Sequence, residues 1–432
     1  MREAVADRQN RAICSAIRSH TNAVHVCVRS LLERVRFAKP FIKNNQILNK
    51  KNMQLIENNG KFGFADESGR VVIEPKFDYA TKFMRGRAYA RLGERIFTVD
   101  ASGVQREVLS FKAADDFHEG LAAVKSGGKC GFIDKSGKFR VRPKFDFAAS
   151  FCEGLARVAC KGRRFFIDKA GELVIPPKFN KVGDFHDGLA KFMDKSSRKW
   201  GFIDKNGDVL IEPKFSEVGD FSEGFATAKL QKWGYINTKG EEAIPFMYDG
   251  AGLRSQGLMA VKVGEKWGFI DENNSIVVPP IYLAVDIFRR GIAQVIRREQ
   301  AEIYPQYAFI DTNGKLIVPF GKYQTLSGFY DEFTAVQDQE YISSFIDSSG
   351  NVALPQVFDA AHHFCEGLAF VSQGEEWDDK WGVIDKSANL VIPPFFYRPY
   401  SDFSEGLALV RLEREYILFF IDKNGEPMLK PR

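Results

Sequence analysis

The chain has 432 residues, with 61 Lys and Arg against 56 Asp and Glu, 39 Phe and only six cysteines. Residues 1–53 hold eleven basic residues and three acids, so the rest carries about −3 with both signs interspersed, which argues against a phosphate-tracking surface and against nucleic acid as partner. The cysteines show no C-x-x-C pair or zinc-type spacing and no segment approaches the roughly eighteen apolar residues of a membrane helix, so a reduced, cytoplasmic setting without a membrane span is expected.

In chain order, the first element is a basic segment over residues 1–52, interrupted by Arg29 and Arg34 and too broken for a secretory signal. It reads as a helical cap, a leader, or sequence upstream of a start near Met53. From residue 53 a different organisation begins. The phrase aromatic-Gly-Phe-Ile-Asp-x-x-Gly recurs, with its Asp register at Asp66, Asp100, Asp134, Asp168, Asp204, Asn237, Asp271, Asp311, Asp347, Asp385 and Asp422, spaced by 33 to 40 residues. Two further phrases keep step: Glu-Pro-Lys-Phe, as at Glu212 to Phe215, and Phe-x-Glu-Gly-Leu-Ala, as at Phe151 to Ala156. Self-similarity at such a period predicts an array whose units bury their apolar faces against their neighbours.

Within one period, Trp200 to Ile203 and Val209 to Ile211 flank Asp204-Lys-Asn-Gly207, a strong hairpin signal. Pro213 is expected to end the second strand, Ser216 to Asp220 to form a surface loop, and Phe225 to Leu230 to be a third strand. The fold class predicted for residues 53–432 is therefore all-β: about ten three-stranded antiparallel meanders in an elongated or superhelical array, with one or two closed β-propellers as the alternative. Phe62, Trp200, Trp233, Trp267 and Trp381 are the expected buried anchors.

The three phrases in fixed order resemble the WG-repeat (KWG-repeat) family, whose members are most abundant in bacteria. The resemblance spans about residues 54–432 and implies a repeat architecture with an interaction role, without an established catalytic residue. Departures from the Trp-Gly pair occur at Phe62, Ile96-Phe97, Cys130, Phe165, Ala308, Ser344 and Phe419.

The recurring Asp is read as a turn residue, because catalysis needs an acid once or twice while a hairpin needs one every period, and because Asn237 takes the same place. One Asp per period also supplies no local oxygen cluster for calcium. No catalytic, cofactor or metal residue is assigned. Candidate partner contacts lie where the period lengthens: Arg297, Arg298, Tyr304 and Tyr307 in one insertion, and Glu375, Glu376 and Trp377 in the other. The expected function is a non-catalytic scaffold for a protein partner, with glycan or cell-wall binding as the alternative.

Overall fold

The computed structural model describes residues 53–432, apart from 180, 299–303, 327, 355–356, 375–379, 414–416 and 432. The expectation for residues 1–52 lies outside the described residues. Among the described residues there are eleven antiparallel sheets of three or four strands, and no helix is long and apolar enough to cross a membrane. The all-β class and the repeated meander hold. Each unit is named below by its closing Asp or Asn.

In the Asp204 unit the strands are Lys181–His186, Leu189–Met193, Trp200–Ile203 and Val209–Phe215, hydrogen-bonded in that order. The unit has four strands rather than three, because the approach to the Phe-x-Glu-Gly turn pairs with the strand that leaves it. In the next unit the segment expected as a surface loop likewise contains a short strand, Glu217–Val218. Glu223 and Gly224 both take left-handed conformations (φ 51° and 81°), as a two-residue hairpin turn requires, which accounts for the Glu-Gly pair.

Pro213 does not end its strand. The pairing jumps from Phe202 with Ile211 to Trp200 with Phe215, so Glu212 to Lys214 form a bulge in which Pro needs no ladder partner. The bulge folds over Gly201, where a Cβ would lie 2.3 Å from the Ile211 carbonyl oxygen. Glycine at this register is thus the condition for a complete trailing strand. The units with Gly63, Gly131, Gly201, Gly234, Gly268 and Gly382 each have a trailing strand of seven residues. Where Phe97, Phe165 or Ala308 replaces it, the strand shortens to three.

Units join through one recurrent contact. The Phe that follows the Gly packs, edge-on or tilted, against the Phe of Phe-x-Glu-Gly in the next unit: Phe132 on Phe151 at 4.8 Å, Phe202 on Phe221 at 4.8 Å, Phe269 on Phe288 at 4.7 Å and Phe309 on Phe329 at 5.1 Å. These rings are fully buried, whereas Trp200, Trp233, Trp267 and Trp381 are half-buried at the edges of the clusters. The expectation of tryptophan anchors is corrected accordingly: the Trp position lies where the sheet meets solvent, one residue pair short of the core.

Above the other Phe pairs runs a polar tie, which Arg290 in the Glu register does not supply at Phe309–Phe329. The carboxylate of the turn Glu accepts the N–H of the next unit's turn Gly, as from Gly154 to Glu119 (3.0 Å), Gly188 to Glu153 (3.0 Å) and Gly406 to Glu366 (2.9 Å). The Lys after the closing Asp joins it: Lys169 lies 3.0 Å from Glu119 and Lys205 3.0 Å from Glu153.

The series returns on itself. Phe420, in the last unit, packs on Phe117 at 4.9 Å, Gly120 donates to Glu405 at 2.9 Å, and Lys135 pairs with Glu405 at 3.1 Å. The last sheet is completed by Ser110–Phe111, paired with Leu418 and Phe419. These contacts are those of the closed alternative rather than of the predicted elongated array, over the nine sheets from the Asp134 unit to the Asp422 unit. The Phe419 side chain stands where Gly would admit a complete trailing strand, and Phe97 likewise ends its own strand at Glu107, which frees Val108 to Phe111 to cross over. The first two units stay outside this cycle. Thr98 stands in the Phe register and Arg85 in the Glu register, so the Asp100 unit lacks both junction groups.

Three outcomes follow. Phe420→Ala removes a ring that both closes the cycle and fills a core, and should lower unfolding free energy by about 3–5 kcal/mol in urea titrations. Gly201→Ala should cost roughly 1–3 kcal/mol and expose the amides of residues 211–215 to hydrogen exchange, since the bulge must move. Partial burial raises the affinity of Glu119, Glu366 and Glu405 for protons, but the Lys and Gly N–H partners more than offset it and hold all three carboxyls below the usual range. Because the folded values lie below the ordinary 4.5, their stabilisation is complete above that pH and is lost as pH falls through the folded values. The urea midpoint should therefore drop on acidification, and the triple Glu→Gln variant should flatten that slope.

Candidate functional site

The eleven recurrent Asp and Asn positions are engaged in turn building. Asp204 Oδ1 accepts the N–H groups of Asn206 and Asp208, both at 2.9 Å, and Asn237 Oδ1 accepts those of Lys239 and Glu241 at 3.0 and 3.1 Å. Asp66 lies below the usual carboxylate range because of its bonds with the Ser68 hydroxyl and the Arg70 and Ser68 amides, despite some desolvation. Each carboxylate is spent locally, so the array brings no pair of them together across a cleft.

The predicted partner contacts divide. Arg297 and Tyr307 share one hairpin, Ile292–Arg297 against Gln306–Asp311. The Arg297 guanidinium lies 4.2 Å from the Phe320 ring and its Nε donates to Gln306 at 3.1 Å, while Tyr307 packs on the core of that junction. Both serve the fold. Arg298 is exposed, and Tyr304, 79% exposed, projects from the same hairpin's connection. Glu375, Glu376 and Trp377 lie outside the described residues.

A docking geometry not expected from the sequence lies at the trailing edges. The sheet of the Asp100 unit, Tyr79–Ala80 to Gln105–Glu107, lays one face on the Asp66 unit through Ala88, Ala90, Phe97 and Val99. Its other face carries Tyr89, Ile96 and Val108 into the cluster between the Asp385 and Asp422 units. Tyr89 is wholly buried there, 5.4 to 5.8 Å from Phe395, Phe396 and Phe419, and its hydroxyl donates to the Gly425 carbonyl at 3.0 Å. Around it Arg85 donates to the carbonyls of Leu390 and Val391, Arg87 pairs with Glu426, and Arg91 with Glu413 at 2.6 Å. The array thus already binds a β-sheet at one junction, through an aromatic ring inside a frame of ion pairs.

The junction between the Asp134 and Asp168 units repeats that receiving surface. Phe145, Phe165 and Cys160 stand at the registers of Phe396, Phe419 and Leu412, and Phe165 packs on Phe145 at 5.9 Å as Phe419 packs on Phe396 at 6.1 Å. In place of Phe395 is Lys144, its ammonium 5.2 Å from the Phe145 ring. The result is an open groove of about 480 Å³ lined by these residues with Arg163, Ile167 and Leu173, the last 58% exposed. A third junction with Phe in the Gly register, Phe97 on Phe77, is covered by the Arg95 guanidinium at 4.9 Å. The available signal was the replacement of Gly by Phe, which reads in sequence as a loosened repeat and in space as a ring left at a sheet edge.

Crystal structures to which the chain is similar include one of a eukaryotic initiation factor (10% identity, 75% of this chain and 99% of that chain covered, TM-score 0.43) and one of BamB from Moraxella catarrhalis (10%, 74% and 93%, TM-score 0.30). The WD40 beta propeller domain of Doa1 aligns at 10% identity over 55% of this chain and 90% of that one, with a TM-score of 0.27. No curated protein matches the sequence. The model of the WG containing repeat matches ten segments: residues 62–95, 109–130, 131–163, 165–195, 200–232, 233–267, 267–297, 307–340, 344–377 and 381–416. With these ten segments spanning most of residues 62–416, the chain belongs to the WG containing repeat family.

Proposed function

We propose that the protein is a non-catalytic scaffold that holds another protein at the trailing edges of its sheets, and that the groove between the Asp134 and Asp168 units is the receiving position. The observation that carries this reading is the buried Tyr89 at the equivalent junction, where this chain's own sheet occupies the same set of registers.

The frame charges set the partner's chemistry. Around Tyr89 the cations come from the docked sheet and the acids Glu413 and Glu426 from the array. At the open groove the array itself supplies Lys144 and Arg163, with Glu172 kept at the register of Glu426. An exposed β-segment carrying an aromatic side chain flanked by Asp or Glu fits it, the ring on Phe165 and the acids toward the cations. The motif carboxylates are taken up by turns, which favours this reading over one in which they bind or cleave a glycan.

Phe165→Gly, which restores the family residue, combined with Arg163→Glu removes both the ring and a charge. Quantitative affinity capture from the source cells should then lose a set of proteins retained by the wild type, and peptides from those proteins should bind more weakly by about tenfold or more, the scale of one interface anchor. Identical captured sets would overturn the assignment.

A further inference from the structure

At two junctions the residue before the Phe of Phe-x-Glu-Gly is acidic and is neutralised by a cation on the preceding unit: Asp184 by Arg157 at 3.0 Å and Asp220 by Lys191 at 3.0 Å. Asp402 holds this register between the Asp385 and Asp422 units, but the preceding strand presents Phe370 where Lys191 stands, and that ring is stacked on Phe403. Asp402 faces two imidazoles instead, His362 Nδ1 at 3.0 Å from Oδ1 and His363 Nε2 at 3.2 Å from Oδ2. Cys365, two residues beyond His363, completes a group in which one donor atom each of His363, Cys365 and Asp402 lie within 4.8 Å of one another.

We propose that His363, Cys365 and Asp402 form a binding site for a divalent transition-metal ion of borderline softness, zinc being the representative. The donor set is one imidazole, one thiol and one carboxylate, a combination that suits zinc or cobalt and is unsuited to calcium or magnesium, which take oxygen ligands. Tetrahedral coordination with metal–ligand bonds of about 2.0–2.3 Å places donors about 3.3–3.6 Å apart, so the His363–Asp402 spacing already fits and the remaining closure is about an ångström of side-chain torsion.

The surroundings hold the ligands in place. The His363 ring is stacked on Tyr330 at 4.1 Å, and the His362 ring meets Trp381 edge-on at 5.1 Å. With His362 bonded to the other oxygen of Asp402, the carboxylate is oriented from behind, as outer partners of metal ligands commonly do. Asp116, Asp331 and Glu366 add negative potential at Cys365, while Arg289, above Tyr330, adds positive potential at His363. All three ligands are partly exposed, which leaves a solvent molecule access to the fourth position. Binding exchanges a proton for the metal at sulfur: the S–H bond breaks, the sulfur–metal bond forms, and the proton passes to solvent.

The test is a cobalt(II) titration of the untagged full chain, followed by absorption. The wild type should acquire a thiolate-to-cobalt charge-transfer band that saturates at a single equivalent and is erased by zinc but not by magnesium. Cys365→Ser should abolish the band and weaken binding by about tenfold or more. Serine already occupies this register at Ser222 and Ser404, so the variant is compatible with the turn. Absence of the band in the wild type, or its persistence in Cys365→Ser, would overturn the site. Should circular dichroism show Cys365→Ser unfolded, Asp402→Asn decides: weakened cobalt binding supports the site, and unchanged affinity overturns it.

Discussion

The structure depends on one contact, the Phe after the motif Gly set against the Phe of the next unit's Phe-x-Glu-Gly turn. A single four-stranded sheet of this size has two apolar faces and cannot bury either alone. Placing a ring from each unit across the junction fills the space between sheets, adds the edge-to-face preference of aromatic pairs, and fixes which faces meet. The Glu-to-Gly bond and the turn Lys lie over the same junction, so the Gly-Phe-Ile-Asp and Phe-x-Glu-Gly phrases are parts of one joint contributed by two units.

The same joint explains how the array closes. A unit that lacks both the Phe after the Gly register and an acceptor in the turn has nothing to hand on, and the Asp100 unit, with Thr98 and Arg85 there, is such a unit. Phe117 and Gly120 are therefore free to receive Phe420 and Glu405 from the last unit. Phe97 and Phe419 complete the exchange, because a ring in the Gly register keeps the trailing strand from folding over its own sheet, leaving one strand loose and one edge open. The displaced unit then finds its apolar face covered at the preceding junction, between the Asp385 and Asp422 units.

The departures from the repeat also mark where the molecule can do something beyond folding. A Phe in place of Gly creates the groove beside Phe165, and Phe370 in place of a basic residue leaves Asp402 to the two histidines. In each case the change removes what the repeat needs for itself and exposes a ring or a set of donors. The lengthened loops drew attention in the sequence, yet Arg297 and Tyr307 turned inward to cover Phe320 and the core. Length alone says that a segment is tolerated, whereas a chemical substitution at a fixed register says what has become available.

The sequence by itself determined the period, the hairpin turn at each Asp, the antiparallel meander and the all-β class, because each depends on residues within one unit or between adjacent units. The tertiary structure decided closure, the docking of the first two units, and the meeting of His363 and Cys365 with Asp402. These pair segments far apart in the chain, or rest on the rotation accumulated from sheet to sheet. Local periodicity cannot state the sum of those rotations; only the assembled stack, in which the last sheet arrives beside Ser110–Phe111, can.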